Sequence, residues 1–302
     1  MSNRLRRSEL AVPGSNQRMM VKAASSDADL VFLDLEDAVA PAQKEDAREK
    51  VIAALNGLDW GTKTRAVRIN AVGTTWVLDD VLQVVERAGR NLDVIIVPKV
   101  KAPRDVWFVE TLLEQMEAKL GLRQRIGLEV LIEEVEALAR VDEIASCSRR
   151  LEALILGVGD LSASQGVRTG HVGDPAHRYP GDIWHYARVR MIVAARSNGL
   201  DAIDGPFPDY RDGDAYRTEA TQGSTLGCVG KWAIHPDQVP IANEVFAPTE
   251  KEIALARRMV EAYEAAQHGG AGAGSSSGVL VDAASVRIFQ AVLDRARMVQ
   301  GS

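Results

Sequence analysis

The sequence predicts an α/β fold, a closed (β/α)8 barrel carrying a C-terminal helical lid. Three observations predict it. Eight short apolar runs occupy 10–13, 30–35, 66–70, 94–100, 126–132, 154–158, 201–204 and 228–234. Amphipathic segments of helical length fill many of the intervals, at 42–55, 76–88, 106–120, 135–145, 183–197 and 214–221. Polar residues stand where most of the runs end. Strands alternating with helices imply a parallel sheet covered by helices. Eight such units over about 240 residues suit a closed barrel better than an open sheet. A doubly wound sheet is the competing architecture, because periodicity counts strands poorly.

In a parallel α/β protein the carboxyl ends of the strands form the working face. The second run ends in Asp34, Glu36 and Asp37, and the third contains Arg68. The fourth closes on Pro98 and Lys99, and the fifth is followed by Glu133. Gly159 and Asp160 follow the sixth, and Ile234-His235-Pro236 closes the eighth. If the barrel closes, these groups converge on one pocket.

Beyond residue 240 the pattern changes. A short segment at 240–246 precedes a helix at 249–267, the run HGGAGAGSSSG at 268–278, and a last helix at 283–299. The glycine-serine run reads as a flexible linker. It lacks the Lys-Ser/Thr pair and the flanking strand that a phosphate loop needs. The expected division is a catalytic barrel at 1–247 and a lid at 248–302 hinged at 269–278, able to exclude water or to pack on a neighbouring subunit.

Composition narrows the class. A net charge of −6 argues against a nucleic-acid binder. Two cysteines, Cys147 and Cys228, make neither a disulfide framework nor a metal motif. The N-terminus is basic but no apolar signal core follows it, and no apolar run approaches membrane-spanning length. A cytoplasmic protein without membrane attachment is expected.

Glu133 and Asp160 are the leading candidates for chemistry. Two carboxylates on one rim suit Mg²⁺, which prefers oxygen ligands. Alternatively, each caps the helix that follows it. Arg68 can grip an anionic substrate through two parallel hydrogen bonds, or pair with the 34–37 acidic cluster, and the two roles are compatible. Lys99 reads as a structural partner of that cluster, with a Schiff-base role as the rival. His235 is a ligand contact or a structural histidine. His171, His177, His185 and His268 show no ligand spacing.

Eight segments together carry a resemblance. VPGSNQRM (12–19), DLEDAVAPAQK (34–44), VRIN (67–70), VPKV (97–100), LIEE (131–134), LGVGDLSASQG (156–166), DGPFPD (204–209) and GKWAIHPDQVPIANEVFAP (230–248) resemble the citrate lyase β-subunit-like branch of the HpcH/HpaI aldolase superfamily. GLDWGTK (57–63) and LVDAASV (280–286) make the chain similar to the malyl-CoA lyases within it. The resemblance implies a TIM barrel with a C-terminal lid, Mg²⁺ with Mn²⁺ as a substitute, and reversible cleavage of a 3-hydroxyacyl-CoA. The implied products are glyoxylate and acetyl-CoA or propionyl-CoA.

Position by position, the resemblance makes Glu133 and Asp160 the metal ligands and places Arg68 at the oxoacid and thioester end. Backbone of Gly159 and Asp160 holds the oxoacid carboxylate. Lys22, Ile234 and His235 contact CoA. Asp282 is the lid's acid/base, reaching a neighbouring subunit, so a homotrimer or homohexamer is implied. There are departures. Relatives carry an aromatic and an arginine where this chain has Ala11 and Asn16, and Ser or Thr where it has Glu134. A malyl-CoA thioesterase, a citramalyl-CoA lyase or a citrate-lyase-type subunit would use the same site, and a non-enzymatic acyl-CoA binder is the remaining alternative.

Overall fold

The computed structural model describes residues 4–168, 181–270, 273–276 and 279–301. His171, His177 and parts of the proposed hinge, 271–272 and 277–278, lie outside them. Eight parallel strands close a barrel in sequence order: β1 (Ser8–Pro13), β2 (Leu30–Asp34), β3 (Thr64–Arg68), β4 (Val94–Val97), β5 (Gly127–Ile132), β6 (Leu151–Leu156), β7 (Asp201–Asp204) and β8 (Gly230–Ala233). Closure is by β8 on β1, with Ser8 opposite Lys231. The closed barrel excludes the doubly wound sheet. No helix among the described residues is long and apolar enough to cross a membrane.

Most strand residues are buried on both faces, so the strands read as continuous apolar runs rather than alternating ones. The alternation appears instead in which core each residue enters. Leu30 and Phe32 of β2 point into the barrel with Ala66, Ile96, Leu131, Ile155 and Trp232. Val31 and Leu33 point outward and pack with the surrounding helices.

The helical layer departs from the expectation in three places. A helix over Gln17–Ala24 follows β1, capped by Asn16, whose Oδ1 accepts from Met19 N at 3.1 Å. The expected helix at 135–145 breaks at Arg140 into Val135–Ala139 and Val141–Ser146. Val158–Gln165 is a helix outside the expected amphipathic segments, and Asp160 sits inside its first turn rather than capping it. Ala11 lies against the barrel-interior cluster, where a small side chain leaves room for Phe32 and Trp232, whose rings are 4.3 Å apart.

The floor of the barrel is charged. Arg6 is buried and donates to Glu129 (2.7 Å), Asp201 (3.3 Å) and Glu152. Glu9 accepts from Trp232 Nε1 at 2.8 Å, yet among the described residues its Oε1, like Glu129 Oε2, has no hydrogen-bond partner. Burial first, and then the neighbouring Glu129, hold the Glu9 pKa well above the ordinary carboxylate range. A raised acid stabilises the fold fully below its unfolded pKa, and that contribution is lost as pH rises through the folded value. Glu9→Gln keeps an acceptor for Trp232 and fixes the side chain neutral. Its melting temperature relative to the unsubstituted protein should therefore climb between pH 6 and pH 9, by about 2 °C or more. A pH-independent difference would show that Glu9 is ionised throughout.

Past the barrel, helices Glu250–His268 and Ala283–Gln300 pack on each other. Between them Gly274–Ser276 (β9) pairs antiparallel with Val279–Val281 (β10). The glycine-serine run is thus partly a hairpin laid on the first of these helices. Gly274 permits the approach: a Cβ there would stand 2.5 Å from the Ala262 carbonyl oxygen.

Candidate active site

The rim at the carboxyl ends of β2 to β6 collects the charged residues that the sequence singled out. Arg68, the last residue of β3, points inward above the aromatic layer, 5.4 Å from the Trp232 ring and 5.9 Å from Phe32. Its Nε and Nη2 donate to the two carboxylate oxygens of Asp34, each at 2.7 Å, and Nη1 lies 3.1 Å from Glu36 Oε2. Burial opposes the guanidinium charge, but Asp34 and Glu36 outweigh it and raise the pKa further. Asp34 is itself held by the backbone N–H groups of Glu36 (2.8 Å) and Ala38 (3.0 Å). Pairing with the acidic cluster therefore fixes Arg68 in place.

Glu133 follows β5 and is buried. Its Oε1 accepts from Lys99 N at 2.7 Å, and among the described residues its Oε2 accepts no hydrogen bond. Burial, and then the negative charge of Asp160, push its pKa up to about 8. Gly157 is the residue that makes room for it, since a Cβ there would meet Glu133 Oε2 at 2.5 Å. Asp160 lies in the first turn of helix Val158–Gln165, where exposed backbone N–H groups favour negative charge. It is half-exposed, and Lys99 Nζ is 4.0 Å from its Oδ2.

Lys99 is the only non-glycine with positive φ (49°) among the described residues. That conformation costs an L-residue about 1–2 kcal/mol. Its ammonium bridges Glu36 and Asp37, the latter at 2.9 Å. Burial would lower its pKa, but the hydrogen bonds to Glu36 and Asp37 prevail and raise it, so the amine stays protonated and a Schiff-base role is disfavoured. Sequence reasoning missed Lys44, whose buried Nζ donates to the carbonyls of Leu35 and Glu36, each at 2.8 Å. A lysine opening a helix beside DLEDA was the available signal.

These groups make a cation site by charge. With every group ionised, Asp34, Glu36, Asp37, Glu133 and Asp160 outnumber Arg68, Lys99 and Lys44 by two charges; the raised pKa of Glu133 keeps it largely protonated near neutral pH until a cation displaces that proton. No group of three or more His, Cys, Asp or Glu forms a ready-made metal cage among the described residues. Two carboxylates suit Mg²⁺, which commonly takes one or two from the protein and fills the rest with water or substrate oxygens. Glu134 turns away from this centre toward Ser164 Oγ (3.0 Å) and Lys101 (3.6 Å).

Other candidates lie further out. Lys22 is exposed in the last turn of its helix. Ile234 N donates to Gln238 Oε1 at 2.8 Å. His235 is partly exposed and stacks on Tyr210, ring centroids 4.9 Å apart. Asp282 is an exposed N-cap of Ala283–Gln300, and its Oδ1 accepts from Ala284 N (3.1 Å) and Ser285 N (2.8 Å). Hydrogen bonds from Ser285 hold its pKa below the usual range. Among the described residues it forms no hydrogen bond or ion pair with the rim of its own barrel. Further along the same helix Arg295 donates to the carbonyls of Phe246 (2.9 Å) and Val229, the latter just before β8 begins. At 1.5 Å per residue, Asp282 stands about 20 Å along the helix from that anchor, which lies at the end of the barrel away from the rim.

A parallel barrel with a charged rim at its strand ends is the architecture of a TIM-barrel enzyme. The chain belongs to the HpcH/HpaI aldolase/citrate lyase family, whose model matches residues 7–236. It is 42% identical to the L-malyl-CoA/β-methylmalyl-CoA lyase of Rhodobacter capsulatus, over 98% of this chain and 96% of that one. It is 34% identical to a (3S)-malyl-CoA thioesterase of Cereibacter sphaeroides, over 91% and 89%. Among solved structures it resembles the CitE protein of Mycobacterium tuberculosis in complex with magnesium, acetoacetate and coenzyme A. That match has a TM-score of 0.75 and 26% identity, over 96% of this chain and 97% of that one.

Proposed function

We propose that this protein is a Mg²⁺-dependent carbon–carbon lyase that reversibly cleaves (S)-malyl-CoA or β-methylmalyl-CoA to glyoxylate and acetyl-CoA or propionyl-CoA. The observation that carries the reading is the closeness of Glu133 and Asp160 on an acidic rim, whose mutual repulsion a bound cation would relieve. Glu133 and Asp160 would hold Mg²⁺ or Mn²⁺. The ion would supply Lewis acidity to the 3-hydroxyl and carboxylate oxygens of the malyl group.

The other steps fall to the chain's own residues. Backbone N–H groups of Gly159 and Asp160, at the start of their helix, receive the oxoacid carboxylate. Arg68, locked by Asp34 and Glu36, faces the thioester end and stabilises the enolate charge that appears as the carbon–carbon bond breaks. The Asp282 carboxylate, ionised at rest, takes up the proton that the 3-hydroxyl loses as the carbon–carbon bond breaks and passes it to the enolate carbon; condensation runs the same transfers in reverse. Lys22, Ile234 and His235 border the path of the CoA arm. Asp282 is exposed and bonded within its own helix cap, so it is free to meet a neighbouring barrel; on this reading the lid at 248–302 serves another subunit, and the active form is a homotrimer or homohexamer. The setting is cytoplasmic, where CoA thioesters are made and used.

The similarity to a malyl-CoA thioesterase supports a second reading, hydrolysis to malate and free CoA on the same residues. Incubation with malyl-CoA, β-methylmalyl-CoA and citramalyl-CoA, with and without Mg²⁺, separates these readings when products are identified by mass. Glyoxylate with acetyl-CoA or propionyl-CoA is expected. Cleavage of citramalyl-CoA alone, to pyruvate and acetyl-CoA, with no glyoxylate from the other two, would move the assignment to a citramalyl-CoA lyase.

A further inference from the structure

We propose that Lys99 is a positioning residue that limits the metal centre to two protein carboxylates and so keeps coordination positions open for substrate. The inference rests on the metal reading above and adds a role to a residue that reading left structural. Four carboxylates surround this one lysine. Its ammonium holds Glu36 and Asp37 and lies 4.0 Å from Asp160, while its backbone N–H binds Glu133 Oε1. The left-handed backbone makes both contacts available from one residue.

Glycine adopts that conformation without strain and would still offer the N–H to Glu133. A lysine in its place indicates that the side chain has work of its own. With Lys99 in place, no three acidic groups form a metal cage among the described residues. Without its ammonium, Asp37 loses its lysine hydrogen bond and Glu36 keeps Arg68, 3.1 Å away, so both can turn toward an ion held by Glu133 and Asp160. Four carboxylates would bind the ion more tightly but leave fewer positions for the hydroxyl and carboxylate of a malyl group. Lys99 thus weakens the resting site for metal and improves it for substrate.

Calorimetric titration of the substrate-free protein with Mg²⁺ tests this. Lys99→Met and Lys99→Gly should each bind Mg²⁺ about tenfold more tightly than the unsubstituted protein, because a nearby positive charge is gone and Asp37 and Glu36 lose its hydrogen bonds. With Mg²⁺ saturating, KM for malyl-CoA should rise in both. Lys99→Arg should retain the original Mg²⁺ affinity. The glycine variant keeps the φ requirement satisfied, so it remains informative if the methionine variant folds poorly. Loss of a nearby positive charge alone would tighten Mg²⁺ binding and leave KM unchanged, so tighter binding without the rise in KM overturns the proposal. Unchanged or weaker affinity in the Met and Gly variants overturns the proposal. An unsubstituted protein that takes up no Mg²⁺ is a different result: it removes the metal reading itself, and this inference with it.

Discussion

Glu133→Ala and Asp160→Ala should each abolish the Mg²⁺-dependent reaction. Altering a residue that merely supports a metal ligand typically costs 10–100-fold in affinity or activity, so removal of a ligand should cost at least about 100-fold. The loss should not come from unfolding. Glu133 is a buried carboxylate whose pKa burial and Asp160 push up to about 8, so its charge burdens the fold rather than stabilising it. Asp160 is half-exposed and pairs only loosely with Lys99. Both variants are expected to melt within a few degrees of the unsubstituted protein while losing Mg²⁺ uptake in calorimetry. Full activity in either would remove that residue from the metal centre.

The second large effect is expected at the other end of the chain. Asp282→Asn should bind malyl-CoA normally but turn it over about 10²–10⁴-fold more slowly, the range that a positioned acid/base contributes. Asparagine caps helices about as well as aspartate, so the Ala283–Gln300 helix and its Arg295 anchor should survive. The loss would then report the proton rather than the fold. Co-expression of Asp282→Asn with Glu133→Ala should restore activity in mixed oligomers, in which an intact lid reaches an intact rim. No recovery, with mixed oligomers demonstrated, would mean that each lid serves its own barrel.

Much of this was legible in the sequence because a (β/α)8 barrel writes itself as repeated short apolar runs. Strand ends then point to the rim, and that rule reached Arg68, Lys99, Glu133 and Asp160 without knowledge of any contact. The helices were harder. Val158–Gln165, VGDLSASQ, carries glycine, aspartate and serine rather than an apolar period, and its place in the barrel makes it helical. Gln17–Ala24 is only eight residues long, though Asn16 offered a cap signal.

The positive φ of Lys99 leaves no mark in VPKV, because it comes from three-dimensional neighbours. Nor did composition reveal that the glycine-serine run forms half a hairpin, since flexibility and close approach both select glycine. The charged floor was passed over, although Glu129 within the apolar run GLEVLI was a visible anomaly.

Malyl-CoA offered to the purified protein with Mg²⁺ tests the central claim most directly, with glyoxylate trapped as its hydrazone and free thiol followed in parallel. Glyoxylate equal to the malyl-CoA consumed, no free thiol, and no reaction after chelation of the metal are the expected results. Free CoA and malate without glyoxylate would contradict carbon–carbon cleavage and assign the rim to thioester hydrolysis.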